Sequence, residues 1–260
     1  MEESTLFEYK PDRIAERRIR IGTIPCCVFT PQAQNREPGQ KLPTLFYYHG
    51  WSSNKHKQRF IASIFASFGY QVLLPDAIYH GERGALENYE TALYDYFMPT
   101  VMQNLAEFQT LEHYALTELS ADEKRLAVSG HSMGGYTAAG IFTHNPELKT
   151  AVVFNGAFDW QNAIQETEKR YGTDHIELSA AEKNTDPACN LEKLIDRPLF
   201  ILHGEKDALV PFEVQKAFFE KLQLRYRDKS RIRFMAVERM NHYISVQMLN
   251  EALIWLSTNV

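Results

Sequence analysis

The stretch Gly130-His131-Ser132-Met133-Gly134-Gly135 restricts the fold of this chain more than any other, because of what lies on either side of it. The apolar run Leu126-Ala127-Val128 directly before it reads as a strand, and residues 137–142 directly after it read as a helix. A chain that turns from strand into helix so abruptly cannot carry bulk two positions before or after the serine, and Gly130 and Gly134 stand at those positions. The turn would present the Ser132 hydroxyl at the end of a strand, where a nucleophile is wanted. An ordinary surface serine in a glycine-rich turn is the plainer alternative.

Strand-like runs, the one before Ser132 included, recur along the chain at 44–48, 71–74, 125–129, 150–154, 198–202 and 231–237, several without polar alternation. Helical patterns separate them at 57–68, from about Pro99 onward, at 137–142, at 213–224 and at 245–256. Strand and helix taking turns predicts a doubly wound, mostly parallel α/β sheet, in which ligands bind beyond the carboxyl ends of the strands. With 260 residues and 44% apolar residues, one domain with a sizeable core is expected. Segment 160–191 interrupts the alternation and is expected to form a small, cap-like helical insertion over that edge. Segment 32–41, polar and holding Pro38 and Gly39, reads as a loop between two early strands.

Charge narrows the range of partners. Against 28 Lys and Arg stand 33 Asp and Glu, a net charge of -5 with no basic stripe, which argues against nucleic acid. No stretch reaches the roughly 18 apolar residues of a membrane helix, and the start Met1-Glu2-Glu3-Ser4-Thr5 is acidic where a secretory signal would be basic. A cytoplasmic protein that does not enter membranes is expected, with a homodimer left open. Cys26, Cys27 and Cys189 fit neither a disulfide framework nor metal spacing, so no metal is expected.

A serine hydroxyl becomes a useful nucleophile only when a base takes its proton, and in this topology an acid and then a histidine should follow, each just past a strand end. Strand 198–202 runs into a turn bearing Asp207, and strand 231–237 runs into Asn241-His242 ahead of the last helix. Ser132 as nucleophile, His242 as base and Asp207 as its orienter are therefore the expected set. Glu205, in the same turn, and Asp159, beyond another strand, are rival orienters. Two N–H groups should face the developing oxyanion: Met133 at the start of the helix, and Trp51 after His49-Gly50, where glycine lets the backbone come close.

Substrate-pocket candidates are His49, Gly50, His131, Trp160 and the residues Tyr79, His80, Glu82 and Arg83 of loop 76–84. That loop either shapes the pocket or is a salt-bridged unit holding its neighbours. Phe97, Met98 and Trp160 either line an acyl or alcohol pocket or belong to the core.

Through His49-Gly50-Trp51, loop 76–83, Gly130 to Gly135, Gly204 to Pro211 and Asn241-His242, nearly the whole chain resembles the α/β-hydrolase superfamily. More narrowly it resembles small bacterial serine esterases related to dienelactone hydrolases and to the catalytic domain of prolyl oligopeptidases. The resemblance implies an eight-stranded sheet, a triad at its carboxyl edge, no cofactor, and a small-molecule ester as substrate. Dienelactone hydrolases carry a cysteine where Ser132 stands, and the peptidases carry a large gating domain for which this chain has no room. Two other expectations stay open: an aminopeptidase or acylpeptide hydrolase with Glu82 holding a substrate amine, and a ligand-binding scaffold without catalysis.

Overall fold

The computed structural model describes residues 14–32, 39–172 and 177–260. The amino-terminal stretch Met1 to Thr5, most of the loop at 32–41 and part of segment 160–191 lie outside the described residues.

Eight strands form a single sheet in the order β1-β2-β4-β3-β5-β6-β7-β8. The first two, β1 (Ile14–Ile21) and β2 (Ile24–Pro31), pair antiparallel through a turn at Gly22, whose φ of 58° suits glycine. Next, β2 runs antiparallel to β4 (Gln71–Pro75), and every later pairing is parallel: β3 (Leu42–Tyr48), β5 (Ala121–His131), β6 (Thr150–Phe154), β7 (Leu199–Gly204) and β8 (Ile232–Val237). Every residue of β4, β6 and β7 is buried. Helices cover both faces, which is why these strands are apolar throughout instead of alternating.

On one face α2 (Leu93–Glu118), α3 (Met133–His144) and α6 (Phe212–Gln223) pack through Phe108, Leu111, Ala138, Phe142, Phe218 and Leu222. On the other face α1 (Arg59–Ser67) and α7 (Val246–Asn259) pack through Ala62, Phe65, Met248, Ala252 and Leu256. The chain passes from β3 outward to β4 and then back across to β5, so strand order reverses between β3 and β5. A crevice opens at such a reversal, beyond the carboxyl ends of the strands.

Two boundaries differ from expectation. Helix α2 begins at Leu93 and carries Pro99 in its interior, whereas the sequence suggested a start near the proline. Proline forfeits one backbone hydrogen bond, but the extra turns bring Phe97 against Trp51 and Tyr136, and that packing outweighs the lost bond. Helix α3 is twice as long as its apolar pattern indicated, because it is buried on nearly every side and shows no polar face.

Within 160–191 the chain forms α4 (Trp160–Tyr171), α5 (Ala180–Thr185) and two short turns, Pro187–Cys189 and Leu191–Lys193. Helix α4 is capped by the Asp159 carboxylate, which accepts from the Asn162 N–H, and it ends at Gly172 in the left-handed conformation. Buried Asp186 accepts from the N–H groups of Trp160 and Gln161, tying the start of α4 to the segment behind it.

Candidate active site

Ser132 follows β5 directly, and its backbone is forced to φ 58° and ψ -123°. L-residues avoid that region, so the surroundings must hold it there. Its N–H donates to the Phe154 carbonyl at 3.0 Å, and its carbonyl accepts from the N–H groups of Gly135 and Tyr136. A side chain at Gly130 would collide with the Gly134 carbonyl, and one at Gly134 would collide with the Tyr48 carbonyl of β3. At Gly135 a Cβ would lie 2.7 Å from the Gly156 Cα. The glycines therefore let the turn, β3 and the loop after β6 approach one another to backbone contact.

The turns after β7 and β8 meet beside this serine. His242 Nδ1 lies 2.7 Å from Asp207 Oδ2, a distance at which the ring N–H donates to the carboxylate. Asp207 Oδ1 accepts from the N–H groups of Leu209 at 2.9 Å and Val210 at 2.8 Å, and His203 Nε2 approaches Oδ2 at 3.3 Å. Burial alone would raise this carboxyl, but the hydrogen bonds from His203, His242 and Val210 hold it well below the usual carboxylate range. Asp207 is therefore ionised at neutral pH and keeps a proton on His242 Nδ1, leaving the lone pair on Nε2. That nitrogen is buried and has no hydrogen-bond partner among the described residues. The ring of His131, the residue before Ser132, lies 4.7 Å from the His242 ring, which brings the serine's segment against the histidine. Glu205 is exposed, and Asp159 caps α4, so neither rival carboxylate orients the imidazole.

The two residues expected to offer amides to an oxyanion flank Ser132. Met133 opens α3, and Trp51 follows Gly50, at which a Cβ would sit 3.2 Å from the Ser132 Cβ. Neither amide makes a backbone hydrogen bond among the described residues. Two unspent donors beside a half-buried serine at the cavity wall suit a developing negative charge.

A cavity of about 1030 Å³ opens over Ser132. Trp51, Tyr89, Leu93, Phe97 and Tyr136 line it on one side, and α4 closes the other through Ile164, Thr167, Glu168 and Tyr171, with Leu209 and Val210 beside Asp207. Its charged lining residues are Glu87, Glu90 and Glu168, and no Lys, Arg or His lines it among the described residues.

Of the expected pocket residues, His49, Gly50, Tyr79, His80, Glu82, Arg83, His131 and Trp160 do not line this cavity. His49 is buried, with Nδ1 on the Gly50 carbonyl and Nε2 accepting from the Ala77 N–H, and burial together with His80 lowers its pKa to about 4. The neutral ring fixes the turn after β3. His80 lies behind Trp51, with ring centres 4.9 Å apart, and Trp160 is core packing beside Met98.

Loop 76–84 is the salt-bridged unit. Buried Asp76 accepts from Lys55 Nζ at 2.5 Å and from the N–H groups of Lys55 and Glu82, while Lys55 Nζ also donates to Glu82 at 2.5 Å. Arg83 forms a paired ion bridge to Glu107 of α2 at 2.6 and 2.7 Å, and Tyr89 holds the Tyr79 carbonyl. The charges of Glu82 and Arg83 are thus committed within the fold. The cavity's own residues carried a weaker signal: Tyr136 lies one helical turn beyond Ser132, Leu209 and Val210 follow Asp207, and Ile164, Glu168 and Tyr171 recur at three-to-four spacing along α4.

Residues 56–258 match the prolyl oligopeptidase family. Esterase YjfP of Escherichia coli is 30% identical over 217 residues, covering 80% of this chain and 85% of its own. YitV of Bacillus subtilis is 27% identical over 228 residues, covering 84% and 89%. Among solved structures, TT1662 of Thermus thermophilus superposes with a TM-score of 0.73 at 18% identity over 95% of this chain and 98% of its own. Acylaminoacyl peptidase of Pyrococcus horikoshii gives 0.73 at 16% over 95% of this chain but 42% of its own. With its mostly parallel eight-stranded sheet and its serine turn, the chain is an α/β-hydrolase belonging to the prolyl oligopeptidase family of serine hydrolases.

Proposed function

We propose that this protein is a carboxylesterase-type serine hydrolase that cleaves small-molecule esters through an acyl-enzyme on Ser132. The observation that carries the reading is the 2.7 Å bond from His242 to a buried, ionised Asp207, which leaves an unspent Nε2 beside the serine turn under a large cavity. Ser132 attacks the ester carbonyl as His242 Nε2 takes its proton, and Asp207 steadies the imidazolium. The amides of Met133 and Trp51 hold the oxyanion until the alcohol leaves with the proton from His242. Water, activated by the same nitrogen, then releases the acid.

Esters are favoured over peptides by the name of the Escherichia coli relative. Glu82, the candidate for holding a peptide's amino terminus, is bonded to Lys55 and lies outside the cavity lining. A binding scaffold without catalysis would have little use for an intact set of Ser132, His242 and Asp207. The free thiols of Cys26, Cys27 and Cys189 suit the reducing cytoplasm.

The test is turnover of p-nitrophenyl acetate and labelling by a fluorophosphonate probe. The wild type is expected to do both, and Ser132→Ala to do neither while keeping the wild-type circular dichroism. Wild-type turnover by Ser132→Ala would sink the reading.

A further inference from the structure

Asn155, the residue directly after β6, is fully buried and has φ 46°. Asparagine tolerates that backbone better than most residues. Conformation alone does not account for where its side chain goes. Oδ1 accepts from the Gly204 N–H at 2.9 Å, at the end of β7, three residues before Asp207. Nδ2 donates to the carbonyl of Tyr243 at 3.0 Å, the residue after His242. The same nitrogen lies 3.3 Å from Nε2 of His131, the residue before Ser132. One amide thus bonds to each of the three chain segments that bear the proposed nucleophile, orienter and base.

We propose that Asn155 is a positioning residue that sets the His242 turn in register with Ser132 and Asp207, through simultaneous bonds to Tyr243, Gly204 and His131. The inference rests on the esterase reading above. Geometry requires all three bonds to come from an amide. A carboxylate keeps the acceptor for Gly204 but cannot donate to Tyr243 or His131, and a glycine satisfies the backbone but offers nothing to any of them. Because Nδ2 donates, His131 Nε2 must accept, so that ring stays neutral with its proton on Nδ1. Burial first, and the neighbouring His242 second, lower its pKa to about 3, in agreement. A neutral, fixed ring packed at a tilt against His242, with ring centres 4.7 Å apart, limits how far that imidazole can swing.

The experiment compares kcat and KM for p-nitrophenyl acetate, and the rate of fluorophosphonate labelling, in wild type, Ser132→Ala, Asn155→Asp and Asn155→Gly, at a temperature well below each unfolding midpoint. Misplacing a base by about 1 Å costs on the order of a hundredfold. The two Asn155 variants are therefore expected to lose about tenfold or more in kcat and in labelling rate, with KM within about twofold of wild type. A purely structural role would lower the unfolding midpoint and leave kcat of the folded fraction unchanged, and that result would overturn the proposal. So would a rise in KM alone. If the glycine variant fails to fold, Asn155→Asp, equal in size and able to keep the Gly204 bond, decides the matter, with Asn155→Ser as a smaller polar replacement. Absence of turnover and labelling in the wild type would instead remove the esterase reading, whereas an active wild type with unimpaired Asn155 variants would remove only this inference.

Discussion

Asp207 receives four hydrogen-bonding approaches, from His242 and His203 on Oδ2 and from the amides of Leu209 and Val210 on Oδ1, and its carboxylate accepts on both oxygens. Asp207→Asn would keep the shape but offer His242 an N–H in place of a full acceptor, so the ring could turn its lone pair away from Ser132. A fall in kcat of about three to four orders of magnitude is expected, with KM little changed, measured on p-nitrophenyl acetate. The sequence could put these three residues forward as the proposed set because chemistry and chain order both point to them. The serine needs two glycines around it, and acid and histidine each sit just beyond an apolar run. The pocket residues were not legible in the same way. His49, His80 and Trp160 carry side chains that could serve in a pocket, but nothing in their local sequence tells whether they face a cavity or the core. Burial decided that, and burial belongs to the fold.

The two helices flanking the cavity make different demands on the sequence. Helix α4 has clear start and stop signals in Asp159 and Gly172, and places Ile164, Thr167, Glu168 and Tyr171 along the cavity. Helix α2 overrides the proline that ought to begin it, because aromatic packing by residues ahead of Pro99 outweighs one lost hydrogen bond. Ile164→Trp would fill part of the space facing Ser132. The expected outcome is a kcat/KM for octanoyl esters at least about tenfold lower with acetyl esters nearly unaffected, read across p-nitrophenyl esters of increasing chain length. At the serine turn the constraint is harder. Gly134→Ala drives a methyl into the Tyr48 carbonyl of β3, where neither backbone can move without separating β3 from β5. A loss of about 3 kcal/mol or more, or failure to fold, is expected in urea denaturation.

Across the whole molecule, acid should act well before the carboxylates are neutralised. His49 and His131 are held neutral by burial, with pKa values lowered to about 4 and about 3. The unfolded chain protonates both at the ordinary histidine value of about 6.5. Below that pH it takes up protons that the folded chain refuses, so the stability they confer is complete above about pH 6.5 and drains away as pH falls toward 4. Asp207, depressed in the folded state, adds a further loss below about pH 4. His49→Gln, which can still bridge the Gly50 carbonyl and the Ala77 N–H, should flatten the fall in thermal midpoint between pH 6.5 and 4; a slope equal to wild type would contradict this origin. The sheet itself was largely readable, since buried parallel strands announce themselves as apolar runs, whereas the buried Lys55, Asp76 and Glu82 bridge joins residues up to 27 positions apart and has no local pattern.

The left-handed backbone of Ser132 has a further consequence. A residue with a side chain is held at φ 58° and ψ -123° at a cost of about 1–3 kcal/mol, and only glycine rests there comfortably. Ser132→Gly is thus expected to be inert toward esters yet to melt a few degrees higher than wild type, and Ser132→Ala, equally cramped, to gain nothing. Durability and the proposed reactivity thus compete at Ser132, whose backbone holds strain that a glycine there would release.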